Sequence, residues 1–165
     1  MAFLWQKIEE KTSAERDDIT SRLADYALSD VLLFISDQPD LRQIQEAQRT
    51  PLFQVLKDKF DLNLQAGDTL EILPENHAEL AKLPNLLLGL NSKLFAAVYV
   101  AGSLLQSVLS ALLLAKGEIS AKEAFEISYA EELYQRTRWG DEPISGERLD
   151  SIRRELEEIE DYLRS

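Results

Sequence analysis

Apolar positions recur at helical spacing along most of this chain, with one stretch that breaks the rhythm. Ile19, Leu23, Tyr26, Ala27, Val31 and Phe34 are separated by 4, 3, 1, 4 and 3 residues, the signature of one helical face. Thr12 and Glu15 stand ahead of it in the Thr-x-x-Glu form of a capping box, so the pattern predicts a first helix from Thr12 to about Ile35. The segment SDQPD ends it. A second helix is predicted from Pro39 or Asp40 to about Lys59, with Leu41, Ile44, Gln45, Gln48, Leu52, Val55 and Leu56 on one side and Pro51 inside as a kink or a division. Residues 61–73 then change period. Leu62 and Leu64 alternate, Ala66-Gly67-Asp68 can turn, and Leu70 and Ile72 alternate again, which predicts a short β-hairpin or an extended flap. Asn76 is placed to cap a short helix from His77 to about Lys82.

From Leu94 to Ala115 the chain runs 22 residues without a charge, long enough to span a bilayer. Gly102, Ser103, Gln106, Ser107 and Ser110 sit within it, and Ser103, Ser107 and Ser110 fall at i, i+4 and i+7. A lone span would turn that polar stripe to lipid. The segment therefore reads as the buried central helix of a bundle, started by Asn91 or Ser92 and stopped by Gly117. Ser120 with Glu123 forms another capping box and opens a helix to about Arg138. A last helix is predicted from Ser145 or Gly146 to Leu163, with Leu149, Ile152, Leu156, Ile159 and Leu163 as a narrow apolar seam beside an acidic, solvated face. The fold class is thus mainly α: one helical domain over residues 1–165, bundled around an apolar central helix, with a small β-like flap.

Composition narrows the functions. Thirty acidic against 18 basic residues leave a net charge of −12, which disfavours nucleic acid and anionic membrane as partners. There is no cysteine and a single histidine, His77, so neither a thiol nucleophile nor a Cys or multi-His metal site can be assembled. P-loop, dinucleotide, zincin and kinase signatures are lacking, and no enzyme activity, cofactor or metal is expected. The N-terminal MAFLWQKIEEK is too short in apolar run and too soon acidic for a signal peptide.

The stretch from Gly117 to Gly140 is the most distinctive. Its helix places Ala124, Ser128, Glu131 and Gln135 on one stripe, with Ile127 a turn before Glu131. Glu131 is then either a half-buried carboxylate bonded to the serine stripe of the central helix or an acidic contact for a partner. Trp139-Gly140 closes the helix, and Trp139 is expected to pack against the central helix.

In this order and spacing the motifs resemble the ATP synthase assembly chaperone family that holds the free alpha subunit of the catalytic head. Family members carry Tyr-x-x-Thr/Ser-Asp-Leu-Leu, matched here by Tyr26, Ser29, Asp30, Leu32 and Leu33 with Val31 as an extra residue. Their Leu, then Gln-x-x-x-Trp-Asp-Pro-Leu, is matched at Leu41, Gln45, Pro51 and Leu52, whereas Arg49 and Thr50 stand where Trp-Asp is usual. Glu131, Tyr134, Gln135, Trp139 and Gly140 match the closing motif, and the acidic segment after it lacks the usual His. The family's β-rich N-terminal domain has no counterpart, so the resemblance covers the helical domain. It implies an ATP-independent chaperone for the alpha subunit, monomeric, in the cytoplasm of a bacterium or the mitochondrial matrix of a eukaryote. Glu131, Gln135, Trp139 and Asp30 are its candidate client-binding residues. The alternative is a helical interaction or scaffold module with a different client.

Overall fold

The long apolar run is two helices, and this break organises the fold. In the computed structural model, which describes residues 3–68, 71–140 and 143–165 but not the side chains of Trp139 and of residues 143–145, α6 spans Ser92–Leu105 and α7 spans Val108–Ala115. They are numbered after α1 (Trp5–Ala14), α2 (Arg16–Tyr26), α3 (Pro39–Phe60), α4 (Pro74–Leu80) and α5 (Leu83–Leu88). Between α6 and α7, Gln106 adopts a left-handed conformation at φ 54. The Ser107 N–H reaches back to the Gly102 carbonyl at 3.1 Å, a Schellman-type stop. Ser107 then caps α7, its hydroxyl accepting from the Ser110 N–H at 2.9 Å. The expected single helix is therefore corrected. Its serines form no common stripe: Ser103 is exposed, whereas Ser107 and Ser110 are buried. Hydrophobicity could not reveal the break, because α7 is buried along its whole length.

Around this pair the other helices gather. Phe95, Val98, Leu105, Val108, Leu109, Leu112 and Leu113 are all at most 1% exposed and form the centre of the core. Both α1 and α10 (Pro143–Arg164) pack on α6, and α8 (Ala121–Ser128) packs between α10 and α7. The seam on α10 is real, with Leu149, Leu156 and Ile159 buried. Its acidic face is not all solvated, however. The Phe3 N–H donates to Glu158 at 2.9 Å and the Ala121 N–H to Glu160 at 2.8 Å, so two of these carboxylates tie α10 to the chain's start and to the N-terminus of α8. Trp5 stacks on Tyr162 at 3.8 Å and strengthens the same seam. Among the described residues no helix is long and apolar enough to cross a membrane.

Several local expectations hold, and others change. Ser120 and Glu123 form both halves of their capping box, Asn91 caps α6, and Gly117 takes the positive φ of a helix stop. The α3 helix runs unbroken through Pro51. Its buried face of Leu41, Gln45, Arg49, Leu52 and Leu56 offsets the roughly 3 kcal/mol a proline costs inside a helix. Thr12, by contrast, caps nothing: its hydroxyl bonds the Ile8 carbonyl within α1, and the first helix is divided at Glu15. After α2 the chain takes two 3₁₀ turns, Ala27–Ser29 and Val31–Leu33, in place of a continued α-helix. The helix expected from Ser120 to Arg138 is likewise divided at Tyr129, giving α8 and α9 (Ala130–Trp139).

Among the described residues the segment at 61–68 is extended and pairs with no hairpin partner, while Thr69 and Leu70 lie outside them. Leu62 and Leu64 are buried as the alternation requires. The only bridge among those residues joins Phe34 and Gly67 in parallel. Asn76 is not a cap. It is 1% exposed and clamps Gln65, accepting from its N–H at 2.9 Å and donating to its carbonyl at 2.6 Å. Asn76→Ala should orphan both backbone groups and cost about 1–3 kcal/mol in urea unfolding; a loss of a few tenths would mean the arm holds without its clamp.

Candidate functional site

The expected client residues divide between the interior and one exposed helix face. Asp30 sits between the two 3₁₀ turns and is fully buried. One carboxylate oxygen accepts from the Leu32 N–H and the other from the Leu109 N–H, both at 3.0 Å. It thereby joins the second 3₁₀ turn to the N-terminus of α7, where the helix dipole favours an anion. Burial pushes its pKa up to about 6, against the opposing pull of hydrogen bonds from Leu109, Ser107 and Leu32. A client cannot reach this carboxylate directly; Asp30 shapes the site from beneath.

In the sequence Arg49 stands out only as a departure from a motif; in the structure it lies in the core beneath the site. It is 2% exposed, four residues after buried Gln45 on the inner face of α3. Its Nη1 donates to the Phe34 carbonyl, and Gln45 Oε1 accepts from the Ser36 N–H at 2.8 Å. Both long side chains fasten the segment after the 3₁₀ turns. Burial lowers the Arg49 pKa to about 10, partly offset by the charge of Asp30, so the guanidinium stays cationic at neutral pH. The spacing Gln45–Arg49 could have placed Arg49 on this face, since i and i+4 share one side of a helix.

The break at Tyr129 decides where Glu131 points. Tyr129 is buried, stacks on Phe125 with ring centroids 5.4 Å apart, and its hydroxyl donates to the Leu104 carbonyl. Past this anchor α9 leaves the core. Of the stripe expected on one continuous helix, Ala124 is buried and Ser128 half-buried, while Glu131 and Gln135 are exposed. Glu131 therefore does not bond the central-helix serines. Next to it, Glu132 pairs with Arg148 of α10, and Arg138 lies 3.8 Å from Asp40 of α3, so α9 is held at both flanks by charge. Position 139 continues the Glu131–Gln135 stripe at i+8, but the side chain of Trp139 lies outside the described residues. Between α3, the α6–α7 junction and α9 is a cavity of about 280 Å³ lined by Arg49, Gln45, Gln106, Ser128, Glu131 and Glu132, among others. Among the described residues no cluster of acidic and histidine side chains could hold a metal ion.

With this architecture in hand, the chain can be set beside solved proteins. Atp12 from Paracoccus denitrificans superposes with a TM-score of 0.87 at 23% identity, over 95% of this chain and 68% of that one. The chain has the fold of Atp12. A point mutant of that Atp12 gives the same values. The Atu1473 protein of Agrobacterium tumefaciens, described as a candidate chaperone, superposes at 0.80 with 19% identity, over 93% of this chain and 58% of that one. No known family model matches the sequence, and no curated protein matches it. The two chains thus share a fold while most of their aligned residues differ.

Proposed function

We propose that this protein is an ATP-independent assembly chaperone of the Atp12 family, whose client is the free alpha subunit of the ATP synthase catalytic head. The observation that carries the reading is the Atp12 fold across 95% of the chain. The motif resemblance supplies the client, and the exposed stripe of α9 supplies a surface for it. Glu131 and Gln135 contact the client on this reading, position 139 extends the same stripe, and Asp30 and Arg49 fasten the second 3₁₀ turn and the segment after it in the interior. The mechanism is mass action. A binder that covers an apolar subunit interface suppresses aggregation and yields to a tighter permanent partner. Nothing in that scheme requires nucleotide hydrolysis.

The test is aggregation of purified alpha subunit on dilution from denaturant, followed by light scattering. An equimolar amount of this protein should suppress most of the scattering, and the two should co-elute on gel filtration until beta subunit is added. Undiminished scattering would remove the alpha subunit as client and leave a scaffold module for another partner.

A further inference from the structure

A groove of about 500 Å³ opens between the chain's start, α2 and α6, on the far side of Leu104 from α9. Phe3, Leu23, Tyr26, Tyr99, Val100 and Leu104 supply most of its wall. Tyr26 is 41% exposed, and Phe3, Tyr99, Val100 and Leu104 are half-buried, so a partner can reach them. The volume lies within the roughly 300–1,000 Å³ of ligand pockets and admits one large side chain with its neighbours. One rim of the groove is basic. Lys11 Nζ lies 5.7 Å from the centre of the Tyr99 ring. Lys7 stands one turn before Lys11 on the same side of α1, towards Phe3. Both lysines are exposed, and neither makes an ion pair among the described residues. Two other charges beside the groove are spent elsewhere. Glu158 accepts from the Phe3 N–H, and Arg22 pairs with Asp18 at 2.6 Å. The chain as a whole carries −12, which disfavours a second copy of itself as the occupant. Charges farther away than about 8 Å are screened at physiological salt, so the two lysines dominate the field at this rim.

We propose that this groove docks an apolar–acidic segment of a partner polypeptide, whose aromatic or aliphatic side chain enters between Tyr26 and Tyr99 while the adjacent carboxylate meets Lys7 and Lys11. The proposal deepens the chaperone reading and rests on it for the ligand being a polypeptide. It adds a second contact surface beyond the Glu131–Gln135 stripe. The two surfaces adjoin, because the Leu104 carbonyl in the groove wall accepts from the Tyr129 hydroxyl at the base of α9.

The Tyr26 and Tyr99 ring resonances of isotopically labelled protein can be followed by NMR during titration with three capped dipeptides, acetyl-Phe-Asp-amide, acetyl-Phe-Asn-amide and acetyl-Gly-Asp-amide. The first should shift both rings saturably, with a Kd on the order of millimolar. Each of the others should bind at least about threefold more weakly, since one lacks the charge and the other the apolar side chain. Equal binding of the Asn peptide would remove the lysines from recognition, and equal binding of the Gly peptide would leave only ion attraction. Either result overturns the proposal, as would shifts that miss both rings. Shifts of the same rings on dilution of the protein alone would assign the groove to a second copy and overturn it too. Lys7→Gln combined with Lys11→Gln should erase the preference for Asp over Asn, and retention of that preference in the folded variant would be fatal. Raising salt to about 0.5 M should erase it on the unaltered protein, and that arm decides alone if circular dichroism shows the variant unfolded. No alpha subunit enters these titrations. Failure here leaves the capture assay standing, and failure of capture with the Phe-Asp preference intact removes the client and keeps the groove.

Discussion

Asp30→Ala should destabilise the protein by about 3–5 kcal/mol at neutral pH, the largest effect expected of any single polar substitution here. The carboxylate is fully buried and satisfies two backbone N–H groups from separate parts of the chain, Leu32 and Leu109. Alanine leaves both orphaned and removes a negative charge that acts on buried Arg49. The pH dependence gives a second, independent readout. The folded-state pKa of Asp30 is raised from 3.8 to about 6, so the folded protein holds this proton more tightly than the unfolded chain. The part of its contribution linked to this proton is fully present below about pH 4 and is lost as pH rises through about 6, a change of roughly 3 kcal/mol at 1.36 kcal/mol per pKa unit. The stability gap between the unaltered protein and Asp30→Ala should therefore shrink as pH rises from 4 to 7. Urea unfolding of both proteins at several pH values measures it. A gap that widens with pH would show Asp30 ionising below its ordinary range, and the burial argument would then be wrong.

Glu131→Gln should reduce capture of the alpha subunit by about tenfold, some 1.4 kcal/mol, without a matching loss of fold. Its carboxylate is exposed in the first turn of α9, where charge removal costs only about 0.3–1 kcal/mol through the helix dipole. Stability of the variant should accordingly stay within ~1 kcal/mol of the original. Two measurements are needed, urea unfolding and light scattering of the alpha subunit. Glu157→Gln, at an exposed position on α10, serves as the control for net charge. Full protection by the Glu131 variant would remove this residue from the client surface, and a loss of protection shared by the α10 variant would reduce the effect to bulk charge.

Local chemistry made much of this protein readable from residues alone. Capping at Asn91 and at Ser120 with Glu123, the stop at Gly117 and the α10 seam each depend on side chains within a few positions of one another, and each is found where its spacing places it; on α3, Leu41, Gln45, Leu52 and Leu56 are buried as expected, but Ile44 is exposed and Arg49 takes a buried place on that face. The breaks were not readable in the same way. Gln106 takes a left-handed turn and Ser107 becomes a cap, and the two apolar halves of the run pack against each other as α6 and α7. Tyr129 divides the next helix for a related reason, since its ring and hydroxyl are held by Phe125 and Leu104. That division turned Glu131 from an expected half-buried partner of the serines into an exposed group. Asn76 and Asp30 show the same limit. Their side chains could be recognised as polar and short, but which backbone groups they serve, 11 residues away in one case and 79 in the other, depends on contacts that only the folded chain creates. Arg49 lay on the correct face by spacing, yet its burial near the charge of Asp30 is a property of the assembled core. Sequence determined the helical class, most caps and the order of motifs; tertiary packing decided where helices break, which polar groups are spent inside, and which face of α9 is left to meet a partner.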